Sequence, residues 1–364
     1  LIRLALKNIG YHFPRYKDEN VELRDNLVYM CKIKPPGGPE GTYTFPEDWH
    51  EIVSDVPELG AYCKKDRNLD VLKETLFNFY RNQRVEDSDD CESYLLRAND
   101  YIIKDMLPVA KPYWFRTGVM PPLIVAVNEA QYMNHKSNPG YPWCLDYSTK
   151  GEFIEKDLAY MHLLACVRIL SWRYLATITS CPILLLRGFS VDPAIANLKN
   201  EVTKVTKDPR IFRSDSVITE LATRYYYREA YSINKQCWGV SFSCIGIGMT
   251  KDHSNRLHRA VEGHTLCAND VPKFDSTVTC FEKHLNAVNH IVRMGLTPEE
   301  PQYEVIRGHV NATCIQPLIL ANGEVWISKY PGCTNTGEYK TSHDNTEIRA
   351  RRSYASSLLI KQRY

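Results

Sequence analysis

The most regular hydrophobic patterns in the chain are helical. Leu158, Met161, Leu164, Val167 and Leu170 recur at helical spacing within Phe153 to Leu175 and predict a long amphipathic helix with this stripe in the core. From Ser276 onward, Val278, Phe281, Leu285, Val288 and Val292 recur at threes and fours and predict a second such helix. Leu72 to Phe79, Ser216 to Ile233 and Glu338 to Leu359 read as further helices, the second crowded with Tyr225, Tyr226, Tyr227 and Tyr231. Extended segments are shorter. Val202, Lys204 and Val205 alternate, and Asp208-Pro209 marks a turn after them. Leu266, Cys267 and Ala268 lead to a strand end, because Pro272 prevents continuation as a central strand. Cys314 to Leu320 and Glu324 to Ser328 read as two strands, with Asn322-Gly323 between them predicting a type I′ hairpin. Residues 1 to about 125 mix aromatic and charged positions with turns such as Pro35-Pro36-Gly37-Gly38-Pro39 and show the least pattern.

Length adds that these elements suffice for two or three domains or one large multi-lobed body, at 364 residues. The balance of 44% hydrophobic and 24% charged residues excludes a disordered or fibrous chain. A formal net charge of +2 excludes global basicity, so any signal for a polyanionic partner must be local. The 12 cysteines form no Cys-x-x-Cys pair, and their spacings fit neither a zinc module nor a disulfide framework, which reads as reduced thiols in a cytosolic setting. No apolar run approaches membrane-spanning length and no signal-peptide pattern opens the chain. The first residue is Leu, which reads as a piece of a longer product.

Candidate chemistry gathers at four places. Asp270 and Asp275 stand five positions apart between a strand end and a helix start, where a carboxylate is well placed to hold a divalent cation. Asp275 is equally suited to cap the helix, since it directly precedes Ser276 and Thr277. Between Leu198 and Arg213, five basic residues face two acidic ones, a local charge of +3 that suits either phosphate or a solvated hairpin. Arg210 offers the planar fork that binds phosphate in two places. Ser137-Asn138-Pro139-Gly140-Tyr141-Pro142-Trp143 is a stiff turn in which Gly140 allows close approach of another chain or a phosphate. A small-residue loop through Thr336-Gly337 opens into a helix that displays Thr341 and Asn345 on one face. Glu86, Asp87, Ser88, Asp89, Asp90 and Glu92 read as a solvated acidic loop.

These four stretches, in this order, resemble the RNA-directed RNA polymerases of positive-strand RNA viruses, in the style of the picornavirus-like supergroup. The Pro139-Gly140-Tyr141-Pro142 run is similar to the family's fingers motif at the template channel. Lys199 to Arg210 is similar to its basic motif over the incoming triphosphate. Asp270-x-x-x-x-Asp275 is similar to the first palm motif, and Thr336-Gly337-x-x-x-Thr341-Ser342-x-x-Asn345-Thr346 to the second. The resemblance implies an α+β right-hand polymerase with fingers and a partial palm, an antiparallel palm sheet flanked by helices, and no thumb. It implies fingers over 126–262, a partial palm with an intervening fingers segment over 263–364, and an N-terminal region over 1–125 that is part of the fingers or of an upstream polyprotein segment.

By the same resemblance, Asp270 ligates Mg2+ (or Mn2+) in a two-metal site and is catalytic. Asp275, Thr341 and Asn345 recognise the ribose; Lys199, Lys207 and Arg210 steady the triphosphate; Ser137, Gly140, Tyr141, Pro142, Thr336 and Gly337 bear on the template and the nascent pair. The implied partners are RNA template and nascent strand, ribonucleoside triphosphates and other viral replication proteins, in host cytoplasm at replication complexes, with no membrane span. The family's third palm motif, a Gly-Asp-Asp hairpin, does not occur in the sequence. Truncation before it is expected, leaving a chain that binds nucleotide and RNA weakly and does not polymerise. A permuted hairpin at Ser88-Asp89-Asp90 lacks the apolar flanks it needs. A reverse transcriptase and a non-catalytic RNA-binding scaffold are the rival readings.

Overall fold

A computed structural model describes residues 26–37, 51, 54–64, 67–81, 83, 89–175, 190–237, 242–243, 245, 247–248, 250–263, 273–314, 316–334 and 339–363. Its sheet has the order β1-β7-β6-β3-β5, built from β1 Leu27–Lys32, β3 Ala194–Leu198, β5 Ile211–Ser214, β6 Leu318–Ile319 and β7 Glu324–Ser328. All neighbours are antiparallel except β3 and β6. A separate pair joins β2 Tyr62–Lys64 to β4 Val202–Lys204. The helices are α1 Leu69–Arg81, α2 Asp89–Asp105, α3 Leu123–Ala130, α4 Lys150–Leu175, α5 Val217–Gln236, α6 Lys251–Val261, α7 Cys280–Arg293, α8 Pro301–Cys314 and α9 Thr341–Arg363. This mixed helical and sheet content fits the α+β class that the resemblance implies. Among the described residues no helix is long and apolar enough to cross a membrane.

The sheet is covered on both faces. Along β3, Ala194, Ala196 and Leu198 pack with Leu72, Leu76 and Tyr80 of α1, while Ile195 between them joins Met30, Ile319 and Ile327 on the other side. The larger core lies among α4, α5 and α8 and takes in all four tyrosines of α5. Its closest approach is at Gly308 of α8, where a Cβ would collide with the Trp172 carbonyl of α4. Among the described residues before 125, β1 pairs with β7 and α2 packs on α9.

Three pattern-based expectations are corrected. In α4 the buried face carries Phe153, Met161, Ala165, Ile169 and Trp172, while Leu170 is 42% exposed. A strict three-residue spacing drifts around a helix; nine residues are about two and a half turns, which sets Leu170 opposite Met161. In α7, Val288 and Val292 are 43% and 49% exposed, because the face opposite them is sunk in a polar seam with α2 and α9. There Arg351 donates to Asn99 and Asn286, both at 2.8 Å, and Asn99 donates to Asn289 at 2.8 Å. Finally, α8 runs on to Cys314, so β6 is only Leu318–Ile319. Its turn is a three-residue loop with Gly323 at φ 86° and Ala321 and Asn322 at negative φ, not type I′. The Gly323 amide bonds the Leu320 carbonyl, as in a type I turn followed by a left-handed glycine. Asp89 and Asp90 open α2 and do not tip a hairpin.

Candidate active site

A cleft of about 800 Å³ opens between three walls that are far apart in the chain. One wall is the segment Lys273 to Asp275. Lys273 has left-handed φ 54°, and the chain then makes a single 3-10 turn over Phe274–Thr277. The turn is pinned locally by Ser276 Oγ donating to the Lys273 carbonyl and Thr277 Oγ1 to the Phe274 carbonyl, both at 2.8 Å. It is pinned at long range by the Thr334 amide, which donates to the Asp275 carbonyl at 2.8 Å. Gly332 lets that loop come so close: at φ 132°, a Cβ there would stand 2.9 Å from the Val278 carbonyl. Asp275 does not cap the next helix. Thr279 does, in a capping box with Glu282, and α7 begins four residues later than the pattern suggested.

The second wall is the face of α9. Thr341 and Asn345 both line the cleft, as the four-residue spacing predicts, and Arg349 extends the row by one more turn. Asn345 Nδ2 donates to Asp275 Oδ1 at 3.0 Å. The other amide atom, Asn345 Oδ1, is buried and has no hydrogen-bond partner. A buried acceptor left without a donor costs roughly 1–3 kcal/mol, so an incoming hydroxyl or amide donor finds a ready partner there.

The basic hairpin forms the third wall. β3 and β5 pair antiparallel, the Lys199 amide bonds the Arg210 carbonyl at 2.8 Å, and the intervening chain includes β4, paired to β2. Lys207, Asp208 and Arg210 line the cleft; Lys199 is not among its lining residues. Glu201 holds Lys199 at 2.9 Å and Arg210 at 3.6 Å, tying the two ends of the hairpin together. Arg213 of the same basic patch is buried, donates to the Tyr80 hydroxyl at 2.7 Å and lies over the Phe79 ring at 5.3 Å. It serves the packing of α1, and through it Thr75, Asn78 and Phe79 reach the cleft.

Lys207, Arg210, Lys273 and Arg349 thus face the carboxylates of Asp208 and Asp275, a cationic excess suited to a polyanion. Lys273 and Arg349 are additions to the residues singled out from sequence. Arg349 was within reach, since it continues the Thr341–Asn345 spacing; Lys273 lies between the two aspartates. Thr75, Asn78 and Phe79 carried no signal.

The remaining sequence-based candidates fall elsewhere. Gly140 sits at φ 75° with Asp215 and Ser216 so close that a Cβ would lie 2.8 Å from the Ser216 Cα. The Val217 amide bonds the Pro139 carbonyl at 2.8 Å, Trp143 Nε1 donates to Ser216 Oγ at 3.0 Å, and Tyr141 packs on the sheet core. The turn at Gly140 therefore clamps the start of α5, Ser137 donates to the Asn134 carbonyl and accepts from the Lys150 amide that opens α4, and none of Ser137, Gly140, Tyr141 and Pro142 lines the cleft. Asp270, Thr336 and Gly337 lie outside the described residues.

A sheet with a basic hairpin at its edge thus faces an Asp–Asn pair across one cleft. No protein-family profile matches the chain. It is 22% identical, over 254 residues, to the RNA-directed RNA polymerase of Mushroom bacilliform virus (isolate Australia/AUS LF-1), an alignment covering 65% of this chain and 60% of that protein. Its fold matches the Sicinivirus 3Dpol RNA dependent RNA polymerase with TM-score 0.61 at 14% identity, covering 91% of this chain and 66% of that one. The chain thus spans less than two thirds of the length of either. It resembles the RNA-directed RNA polymerases of positive-strand RNA viruses in both sequence and fold.

Proposed function

We propose that the chain is the nucleotide-selecting part of a viral RNA-directed RNA polymerase, with the fingers carrying the basic hairpin and a partial palm carrying Asp275 and α9. The observation that carries this reading is the Asp275–Asn345 pair set opposite Lys207 and Arg210 in one cleft. Lys207, Arg210 and Lys273 neutralise the triphosphate, Arg210 through its planar fork. Asn345 Oδ1 accepts from the ribose 2′-hydroxyl while Asp275 holds the amide in that orientation, and Thr341 adds a hydroxyl beside them. A 2′-hydroxyl both donates and accepts, which separates ribonucleotides from deoxyribonucleotides. The unpartnered Asn345 acceptor favours this over a reverse transcriptase.

The cleft's described carboxylates are hard oxygen donors of the kind Mg2+ or Mn2+ takes, but Asp275 has one oxygen engaged by Asn345. The resemblance to the polymerase family assigns the metal role to Asp270, outside the described residues. A divalent ion held there supplies charge neutralisation at the attacking 3′-hydroxyl and the transferred phosphate. RNA template and nascent strand are the partners this reading requires, in infected-cell cytoplasm.

Equilibrium binding of ATP and 2′-deoxy-ATP to the chain tests the reading. Tighter binding of the ribonucleotide is expected, and lost when Asp275 is changed to Ala. Equal affinity for both, or affinity that survives Lys207→Ala with Arg210→Ala, sinks it. Primer extension by the complete protein, abolished by Asp270→Asn with the fold intact, separates a polymerase from a scaffold.

A further inference from the structure

Behind the cleft wall, three side chains with metal-binding chemistry converge where the spacings along the chain gave no hint of it. Cys280 is the first residue of α7, His284 lies one turn on along the same face, and Cys314 is the last residue of α8. Their ligand atoms all lie within 4.8 Å of one another. Cys280 Sγ is 3.4 Å from Cys314 Sγ and 3.5 Å from His284 Nδ1. Zinc–sulfur and zinc–nitrogen bonds of roughly 2.3 and 2.0 Å at a tetrahedral centre separate such atoms by roughly 3.5–3.8 Å, so the set needs little movement to close on an ion.

The surroundings ask for a cation. His284 Nδ1 faces the Cys280 carbonyl at 2.8 Å and Nε2 faces Asn311 Oδ1 at 2.9 Å, so both ring nitrogens meet acceptors. An imidazolium satisfies both contacts. A neutral ring that donates from Nε2 to Asn311 keeps that contact, and a small turn of the ring takes its Nδ1 lone pair from the Cys280 carbonyl to a metal, the orientation that outer partners of metal-bound histidines enforce. Cys280 is the first residue of α7, at a helix N-terminus whose dipole favours a thiolate. Thiolates and imidazole are soft to borderline donors, which select zinc over magnesium.

We infer that Cys280, His284 and Cys314 form a zinc site with water at the fourth position. Cys280 and His284 are half-buried, which leaves that position within reach of solvent. Its place in the fold gives it a job. The Cys314 carbonyl accepts from the Gly332 amide at 3.0 Å, and two residues on the Thr334 amide bonds Asp275. An ion joining the start of α7 to the end of α8 braces the backbone on both sides of Asp275. The site is independent of the polymerase reading, since zinc content is measured without any nucleotide.

The test is metal analysis of the protein expressed with zinc and purified without chelators, alongside Cys280→Ser and His284→Asn. Stoichiometric zinc in the native protein, lost in both variants with unchanged circular dichroism, is expected. Cobalt replacing zinc should give a thiolate charge-transfer band and the visible bands of a tetrahedral ion, both missing in Cys280→Ser. Chelation should lower the melting temperature of the native protein and leave that of Cys280→Ser unmoved. Three results overturn the inference: no zinc or cobalt band in the native protein, zinc retained in Cys280→Ser, or a Cys280–Cys314 disulfide in the purified chain by mass spectrometry.

Discussion

Asn345 Nδ2 donates to Asp275 Oδ1 at 3.0 Å, joining α9 to the turn before α7 across 70 positions of sequence. The bond fixes the amide so that its oxygen is the atom left for a ligand. Asn345→Ala removes both the acceptor and the restraint on Asp275. A neutral hydrogen bond is worth roughly 0.5–1.5 kcal/mol, so the preference for ATP over 2′-deoxy-ATP should fall by roughly 2- to 13-fold in equilibrium binding. An unchanged ratio removes this pair from sugar recognition.

Lys273 holds a left-handed backbone that costs a residue with a Cβ roughly 1–2 kcal/mol. Lys273→Gly should therefore raise the melting temperature while weakening triphosphate binding, because a cleft cation is lost. Opposite signs in the two measurements are the expected outcome. A stabilised variant with native affinity would show that the lysine serves only the turn.

Arg352 grips Glu282 in two places, Nε to Oε1 at 2.6 Å and Nη2 to Oε2 at 2.7 Å, and also donates to the Thr277 carbonyl at 2.8 Å. The Glu282 side chain is 1% exposed. Removing the arginine strands a buried carboxylate, at a cost of roughly 3–5 kcal/mol. Urea unfolding of Arg352→Ala should register that loss. Arg352→Lys should recover only part of it, since a lysine cannot reproduce the two-pronged contact.

Glu347, on the buried face of α9, is pushed up to about 7, by burial first and by Asp344 second, against Arg351, Arg293 and Asn289. Its ordinary value is 4.5, so between these limits the folded chain keeps a proton that the unfolded chain has lost. The stabilisation is complete below the ordinary value and is lost as pH rises through about 7. Unfolding free energy should fall by about 3 kcal/mol across that window, on the linkage of 1.36 kcal/mol per unit. Glu347→Gln should flatten this part of the pH profile in denaturant titrations.

Gly308→Ala probes the contact of α8 with α4. With a Cβ directed at the Trp172 carbonyl, the helices must separate, and overpacking of this kind costs roughly 1–3 kcal/mol. The melting temperature should drop, with cleft binding preserved at low temperature.

Much of the site was legible in the chain because it depends on local spacing. Thr341 and Asn345 had to share a helix face, and Lys207 and Arg210 had to sit near one hairpin end once β3 and β5 paired. Even there the tertiary fold sorted like from like. Arg210 faces the cleft, while Arg213, three residues on, is buried against Tyr80. Gly140 and its prolines read as a surface for RNA, yet the glycine admits the backbone of Asp215 and Ser216.

Sequence by itself determined helices α1, α4, α5, α7 and α9 and the basic stretch that closes the cleft, because period, turn residues and charge density act over a few positions. It did not determine which face of α7 is buried, since Val288 and Val292 look like core until Asn99, Asn286 and Arg351 meet behind them. Nor did it bring Cys280, His284 and Cys314 together, or set Asn345 against Asp275. Those contacts span 34 and 70 positions, and only the packing of α7, α8 and α9 on one another closes such distances.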